Sequence, residues 1–253
     1  MARLSFVSLL SLSLLFGQQA VRAQNYPTAV TLDCKEAMNK LRKAAGLPAF
    51  EDAVGDTFVL PAYSHEESRA APVAETLWKT EICPKVLGGG RSRNVTEAVK
   101  LTGNFAYYPV TDGKKECSDA VEYWKGGLSQ FNDTIPPTFQ ALNDPVVYND
   151  RAASFVALYN PKTSPVVSCV LLQCPNAGVG GRRLAAGTTD AVICLTNPAP
   201  LEARSQPFDD EQWKKIVDSL SLSEEEEEKG GVSPVVPSVA LISAAVISAF
   251  ALF

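Results

Sequence analysis

An apolar stretch stands at each end of this 253-residue chain, so the folded part must lie between the two. At the N-terminus, Arg3 precedes a run of apolar residues and serines, and the small residues of a cleavage site follow, ending at Ala23. This order is typical of a secretory signal peptide, and we expect residues 1–23 to be removed. A buried first helix is the alternative, and the absence of helical periodicity in the run argues against it.

The C-terminal stretch has the features of a GPI-attachment signal. Five glutamates, residues 224–228, are followed by small residues and then by a tail in which residues 235–253 carry no charge. In such signals a lipid replaces the apolar tail at a small residue. We expect attachment at Gly230, with Gly231 or Ser233 as alternatives. A retained tail anchor is the competing interpretation, because about 20 apolar residues can span a bilayer.

These two ends define the expected organisation of the chain. Residues 24–222 form the ectodomain, residues 223–230 form an acidic stalk, and residues 231–253 are the tail that is lost. The protein is then expected at the cell surface, held in the outer leaflet of the plasma membrane by a GPI lipid.

An exported chain meets an oxidising environment, where its cysteines form disulfides. The chain has six cysteines, and we expect three disulfides whose connectivity the sequence alone leaves open. They are Cys34, Cys83, Cys117, Cys169, Cys174 and Cys194. Zinc is disfavoured because no C-x-x-C pair is present. Two sequons make Asn94 and Asn132 candidates for N-glycosylation.

Charge and histidine content exclude several classes of function. A formal net charge of −5 argues against a nucleic-acid partner, which would need a basic face. His65 is the single histidine, so no site can use two imidazoles, and a Ser/His/Asp triad has one possible base. We therefore expect no metal, no cofactor and no catalytic residue.

Apolar periodicity predicts helices at both ends of the domain and strands between them. One helix begins at Cys34 and ends before Gly46 and Pro48. A second helix begins at Pro72 and ends near Cys83 and Pro84, with Val73, Leu77, Trp78 and Ile82 facing inward. A third begins at a Ser118 cap, with Ala120, Val121, Trp124, Leu128 and Phe131 inward. The last begins at Asp209 with a Gln212 capping box, and Trp213, Ile216, Val217 and Leu220 face inward. Strands are predicted over residues 105–110, 152–159, 166–172 and 191–196, with residues 178–187 linking the last two. This order indicates an α+β domain with helices packed around a mainly antiparallel sheet.

Several segments resemble the CAP proteins, which are the cysteine-rich secretory, antigen 5 and pathogenesis-related 1 proteins. Asn39 and Arg42, followed by Gly46 and Pro48, are similar to the H-N-x-x-R … G-x-P pattern of the first CAP helix. Residues 153–159, 167–170 and 192–194 are similar to the CAP strand series, and residues 120–124 to the helix that precedes it. The resemblance implies a CAP-like αβα sandwich and a Cys169–Cys194 disulfide.

The metal site of CAP proteins is not carried over by this resemblance. That site uses two histidines and two glutamates. Ala153 stands where the strand histidine would be, and Gly127 stands near the position of the helix glutamate.

Together with its two ends and six cysteines, the chain resembles the GPI-anchored surface antigens (SAG family) of Eimeria-type coccidian parasites. This implies a non-enzymatic protein involved in host-cell attachment or invasion and in immune interaction, with a host receptor or glycan and host antibodies as partners. Its possible contacts with an anionic ligand are Arg91, Arg93, Arg182 and Arg183. A lipid- or sterol-binding CAP-type carrier and a secreted hydrolase that uses His65 are the alternatives.

Overall fold

Two antiparallel strands of ten residues form the centre of the sheet. β4 (Val166–Pro175) pairs with β5 (Thr188–Asn197), and Cys169 lies opposite Cys194. β1 (Thr28–Leu32) and the short parallel β2 (Glu51–Asp52) pair with the other edge of β4, and β3 (Asn104–Pro109) pairs with β5. The computed structural model describes residues 26–64, 72–88, 100–132, 134–176 and 187–230, with side chains to residue 221.

Helices cover both faces of this sheet because β5 alternates between two apolar clusters. Val192 and Cys194 face one cluster, while Ala191, Ile193 and Leu195 face the other. On the first face lie α1 (Lys35–Ala44), α4 (Cys117–Lys125), a 3-10 turn (Gly126–Phe131), α5 (Asp150–Leu158) and α6 (Asp210–Gly230). On the second lie α2 (Pro72–Glu75), a π-helical stretch (Thr76–Ile82) and α3 (Cys83–Leu87). The α+β prediction with helices around an antiparallel sheet is confirmed.

The strand predicted over residues 152–159 is wrong, because this segment is the helix α5. Asn149 caps the helix, since its side-chain oxygen accepts the N–H groups of Arg151 and Ala152, each at 3.0 Å. Every residue of α5 from Ala152 to Leu158 is buried. A helix that is apolar on all sides has no amphipathic period, and its sequence therefore resembles that of a buried strand.

Smaller corrections concern helix boundaries. Glu116, not Ser118, precedes α4, and its N–H donates to Asp119 in a capping arrangement. The helix from Pro72 continues past Cys83 to Leu87, and Val73 is 57% exposed instead of facing the core. The capping box of Asp209 and Gln212 at the start of α6 is confirmed, with hydrogen bonds of 3.2 and 2.7 Å.

The N-x-x-R … G-x-P residues hold the end of α1 against the domain. Asn39 exchanges two hydrogen bonds with the backbone of Phe50, at 3.0 and 2.7 Å. Gly46, at φ +67°, closes α1 with a Schellman motif. The Arg42 guanidinium is fully buried and donates to the carbonyl oxygens of Pro48, Leu158 and Asn160. Burial lowers the pKa of Arg42 to about 10, so the side chain stays charged at neutral pH.

The three tryptophans belong to the core, as predicted. Trp78 and Trp124 are fully buried and Trp213 is 7% exposed. Trp213 also joins an aromatic cluster with Phe131, Phe155 and Phe208, whose ring centroids lie 5.9–6.1 Å from its own. This cluster fixes α5 and α6 against one face of the sheet.

Candidate binding groove at the sheet edge

The outer edge of β3 borders a large groove in the described part of the chain. The β3–β5 pairing continues at Val110, whose N–H donates to the Asp190 carbonyl at 3.0 Å. In an antiparallel pair the backbone groups of alternate residues point to the same side. The N–H and C=O groups of Phe105 and Tyr107 therefore point away from β5.

Helix α5 satisfies one of these outward groups. The Tyr107 N–H donates to the hydroxyl of Ser154 at 2.8 Å, and that hydroxyl donates to the Asp150 carbonyl at 2.6 Å. Ser154 is fully buried, and this position explains a hydroxyl inside an otherwise apolar helix. The edge of β3 is thereby closed at Tyr107.

Two residues earlier, at Phe105, none of the described residues pairs with the outward backbone groups of β3. Phe105 lies on the wall of a groove of about 750 Å³, the range of small-ligand sites. Residues 139–142 and 199–201 and the buried Ala153 of α5 contribute its other walls. The Phe105 backbone thus offers a donor and an acceptor to whatever occupies the groove.

The groove continues towards the helices on the other face of the sheet. A smaller pocket shares Phe105, Tyr107 and Asp150 with it, and is closed by Ile82 and Val86. The smaller pocket is mainly apolar apart from Lys85, while the groove also presents the polar side chains of Asn104 and Gln140. The Asp150 carboxylate and the Tyr107 phenol lie at the junction. This combination is suited to binding an apolar segment or ligand with a few polar groups.

Tyr107 is the titratable phenol of the groove, and its pKa is raised to about 12. Burial is the main cause, and the negative charge of Asp150 adds to it. The phenol is therefore protonated at neutral pH and can donate a hydrogen bond, but it does not act as a nucleophile there. The groove is equipped for binding, and its described groups form no nucleophile–base pair.

The position of Gly127 explains why a CAP-type acid is absent. A Cβ on Gly127 would lie 2.5 Å from the carbonyl oxygen of Arg151 and 2.7 Å from the Cβ of Phe155. Helix α5 occupies this space, so no glutamate fits there. Ala153, aligned with a strand histidine, lies instead on a helix.

Most other residues singled out in the sequence lie outside the described residues. They are His65, Arg91, Arg93, Asn94, Arg182 and Arg183. The anionic-ligand and hydrolase functions therefore stay predictions from the sequence. Gly230 is the last residue of α6, and the helix runs through the acidic stretch without interruption.

Asn132 is the described glycosylation candidate, and it is exposed. It follows the 3-10 turn in the left-handed region, at φ +48°, and Thr134 of the same sequon donates its hydroxyl to the Phe131 carbonyl at 2.7 Å. The amide side chain is therefore presented at the end of a turn, the kind of exposed position at which glycans are attached.

Three disulfides connect distant parts of the domain. Cys34–Cys117 joins α1 to α4, and Cys83–Cys174 joins α3 to β4. Cys169–Cys194 joins β4 to β5, and it is also the pair that the CAP resemblance implied. The sulfurs of Cys34, Cys169 and Cys194 lie within 4.8 Å of one another. They are bonded in disulfides and have no thiolate to offer a metal ion, so this cluster is a contact between two bridges.

Known proteins match this chain both in sequence and in fold. The family model for the sporozoite surface antigen (SAG) protein domain matches residues 30–235, from β1 to beyond the end of α6. The chain belongs to the SAG family. It is 99% identical to the sporulated oocyst TA4 antigen of Eimeria tenella over 253 residues, the full length of both chains. The SAG part of the predicted resemblance is confirmed.

A solved SAG protein has the same fold. The crystal structure of the Eimeria tenella surface antigen protein SAG19 superposes on this family member with a TM-score of 0.52 and 18% identity. The match covers 77% of this chain and 98% of that chain. An identity this low shows a shared fold alone. Among the helices that the structure describes, none is both long enough and apolar enough to cross a membrane.

Sequence reasoning did not find the groove. No sequence motif marks Phe105, Ala153 or Ser154 as groove residues. Their roles arise only because α5 lies beside β3. The signal that could have helped is the Asn-Asp pair at residues 149–150, which is typical of a helix start.

Proposed function

We propose that this SAG protein is a non-enzymatic, GPI-anchored protein of the plasma membrane that attaches to host cells and is recognised by host antibodies. The observation that carries the proposal is α6. Its first half is fixed to the core by Trp213, Ile216 and Leu220, and the same helix then runs to Gly230, the expected attachment residue. The ten residues beyond Leu220 add about 15 Å of helix, so they would hold the domain away from the lipid surface.

Anchoring is tested with the full chain expressed on cells. Phosphatidylinositol-specific phospholipase C should release the protein into the medium, because a GPI lipid is its one predicted membrane link. A bulky Gly230→Trp variant should reach the surface poorly or use another attachment residue, while Gly230→Ala should behave as the parent, since attachment requires a small residue. Retention of the parent protein after the treatment would identify a tail anchor instead.

Attachment is tested with the phospholipase-released protein. It should bind host epithelial cells saturably, and a reduced and alkylated sample should not, because the surface depends on the disulfide-bonded fold. If anionic glycans are the ligand, heparin competes, and alanine at Arg91, Arg93, Arg182 and Arg183 weakens binding. Absence of binding at micromolar concentration would contradict the attachment function.

The groove is tested in the same experiment. Gln140 is exposed and lines the groove, so Gln140→Trp should obstruct it without disturbing the core. Val54 is 75% exposed and follows β2. Because β2 pairs with β4 and β3 forms the opposite edge of the sheet, Val54→Trp is the matched control. A loss of cell binding in the Gln140 variant alone would assign attachment to the groove.

The CAP-like carrier is the second candidate function, and the apolar groove is the observation that favours it. The CAP relationship itself stays a proposal, because the segment aligned with the CAP histidine strand is α5. Released protein freed of lipid would be titrated with a fluorescent sterol and a fluorescent fatty acid. Stoichiometric binding that Gln140→Trp abolishes would support a carrier, and no binding would contradict it.

The hydrolase alternative predicts a turnover that His65→Ala abolishes. The non-enzymatic proposal predicts that the parent protein and this variant are equally inactive on ester, peptide and glycoside probes. A turnover lost in the His65 variant would overturn the non-enzymatic part of the proposal.

A further inference from the structure

We propose that the Cys34–Cys117 bridge is a thiol-exchange site, at which an external thiol of the glutathione class bonds to Cys117 and Cys34 then attacks the neighbouring Cys169–Cys194 bridge. The observation behind it is the contact between the two bridges, in which the Sγ atoms of Cys34, Cys169 and Cys194 lie within 4.8 Å of one another. Disulfide exchange proceeds by attack of a thiolate on a disulfide sulfur, and here a latent thiolate and a second disulfide are already neighbours.

Exposure selects the sulfur that is attacked first. Cys117 is half-buried, whereas Cys34, Cys169 and Cys194 are 1%, 3% and 0% exposed. In the Cys83–Cys174 bridge the two residues are 4% and 0% exposed. An external thiolate therefore meets Cys117 before any other cysteine of the described chain.

The position of both cysteines at helix starts favours the first step. Cys34 is the N-cap of the ten-residue α1, and Cys117 is the first residue of the nine-residue α4. Helix N-termini stabilise a thiolate, and a better-stabilised thiolate is a better leaving group. Attack at the more exposed Cys117 releases Cys34, whose helix start stabilises the departing thiolate. The contact between the bridges is an independent feature, and it places this thiolate beside a second disulfide.

The chemistry balances in two steps. The external thiolate bonds to the Cys117 sulfur, the Cys34–Cys117 bond breaks, and its electron pair leaves on Cys34. The Cys34 thiolate then bonds to the sulfur of Cys169 or Cys194, and the other sulfur of that bridge leaves as a thiolate and takes a proton from solvent. The external thiol is oxidised to a mixed disulfide on Cys117, and the protein keeps one internal bridge at this cluster.

The consequence is a change in what the bridge connects. Before exchange it joins α1 to α4, and afterwards it joins α1 to the sheet. Helix α4 is then no longer covalently linked to α1, and Cys117 carries the external thiol. The site thus takes a low-molecular-weight thiol as its substrate class.

The first test uses the intact protein with reduced glutathione, quenched with acid, alkylated and mapped by mass spectrometry without reduction. The expected products are a glutathione adduct on Cys117 about tenfold more abundant than on any other cysteine, and peptide pairs that join Cys34 to Cys169 or Cys194. Adducts spread evenly over the cysteines would overturn the proposal. So would alkylated Cys34 beside an intact Cys169–Cys194 bridge.

The second test needs no added thiol. Cys117→Ser leaves the Cys34 thiol beside the second bridge, and Cys83→Ser is the matched control, because the lost bridges span similar sequence separations of 83 and 91 residues. Cys174, left free in the control, is not part of the sulfur cluster that the described residues form. Non-native pairs containing Cys34 should exceed those containing Cys174 about tenfold. Equal scrambling in both variants would mean that exchange follows unfolding, and would overturn the proposal.

Discussion

The hydroxyl oxygen of Ser154 lies 2.8 Å from the backbone nitrogen of Tyr107 and accepts its N–H. A helix side chain here takes the place of a neighbouring strand, and β3 can end the sheet without an unsatisfied amide at this point. Unpaired backbone N–H and C=O groups on an edge strand can pair with a strand of another chain. A helix that covers the edge strand prevents such pairing. At Phe105 no residue that the structure describes pairs with this edge, and there the groove begins.

Removing the Ser154 hydroxyl should destabilise the domain. In Ser154→Ala the half-buried Tyr107 N–H loses its acceptor, and we expect the free energy of unfolding to fall by about 1–3 kcal/mol. Ser129→Ala removes an exposed hydroxyl that bonds its own turn, and should stay within about 0.5 kcal/mol of the parent. Urea unfolding with intact disulfides measures both. Equal stability of the two variants would show that water replaces the lost acceptor.

Gly127 and Gly126 should respond differently to the same added methyl group. Gly127→Ala places a Cβ 2.5 Å from the backbone oxygen of Arg151, so α5 must shift, and about 1–3 kcal/mol should be lost. A Cβ on Gly126 would contact the end of the Arg151 side chain, and this flexible group can move. Gly126→Ala should cost about 1 kcal/mol or less. Thermal unfolding measures both variants. A larger stability loss in Gly126→Ala than in Gly127→Ala would contradict this account.

Arg42 should not tolerate lysine. Its guanidinium donates to the carbonyl oxygens of Pro48, Leu158 and Asn160, and it lies 3.9 Å from the centre of the Phe50 ring. A lysine cannot reproduce this planar arrangement, and Arg42→Lys should lower the free energy of unfolding by about 2–4 kcal/mol. The exposed neighbour Lys43 provides the control, since Lys43→Arg should leave stability within about 0.5 kcal/mol. An unchanged urea midpoint in Arg42→Lys would argue against this role.

Asp190 should make the domain sensitive to acid. Burial favours the neutral form of this carboxyl, but hydrogen bonds from Lys115, Thr188 and Gln173 outweigh it, so the pKa lies below the ordinary value of 3.8. The folded state thus prefers the charged form. Its stabilisation is complete above about pH 4 and is lost as the pH falls through the lowered pKa.

The Asp190→Asn variant tests this dependence. At pH 7 it should be less stable than the parent by roughly 1–3 kcal/mol, and the difference should shrink on acidification below about pH 4. Asp112→Asn, at an exposed position, should change neither the stability at pH 7 nor its dependence on pH. Urea midpoints measured from pH 2 to pH 7 follow both variants. If the stability difference between Asp190→Asn and the parent were the same at every pH, the charge of Asp190 would not be the source of the stabilisation.

Local patterns predicted many elements correctly because their signals lie within a few residues. The α1 periodicity with Gly46, the capping box at Asp209 and the β-prone runs of β3, β4 and β5 each specify a local conformation. The SAG resemblance also came from the sequence, because the six cysteines and the character of the two ends are properties of the chain itself.

Only the tertiary structure decided the identity of α5 and the site that depends on it. Residues 152–158 are apolar on all sides, and burial on all sides removes the period by which a helix is told from a strand. The groove needs β3 beside α5, and the sulfur cluster needs α1 beside the sheet. The groove and the sulfur cluster both bring together residues that are far apart in the sequence. A local sequence pattern contains no information about such contacts.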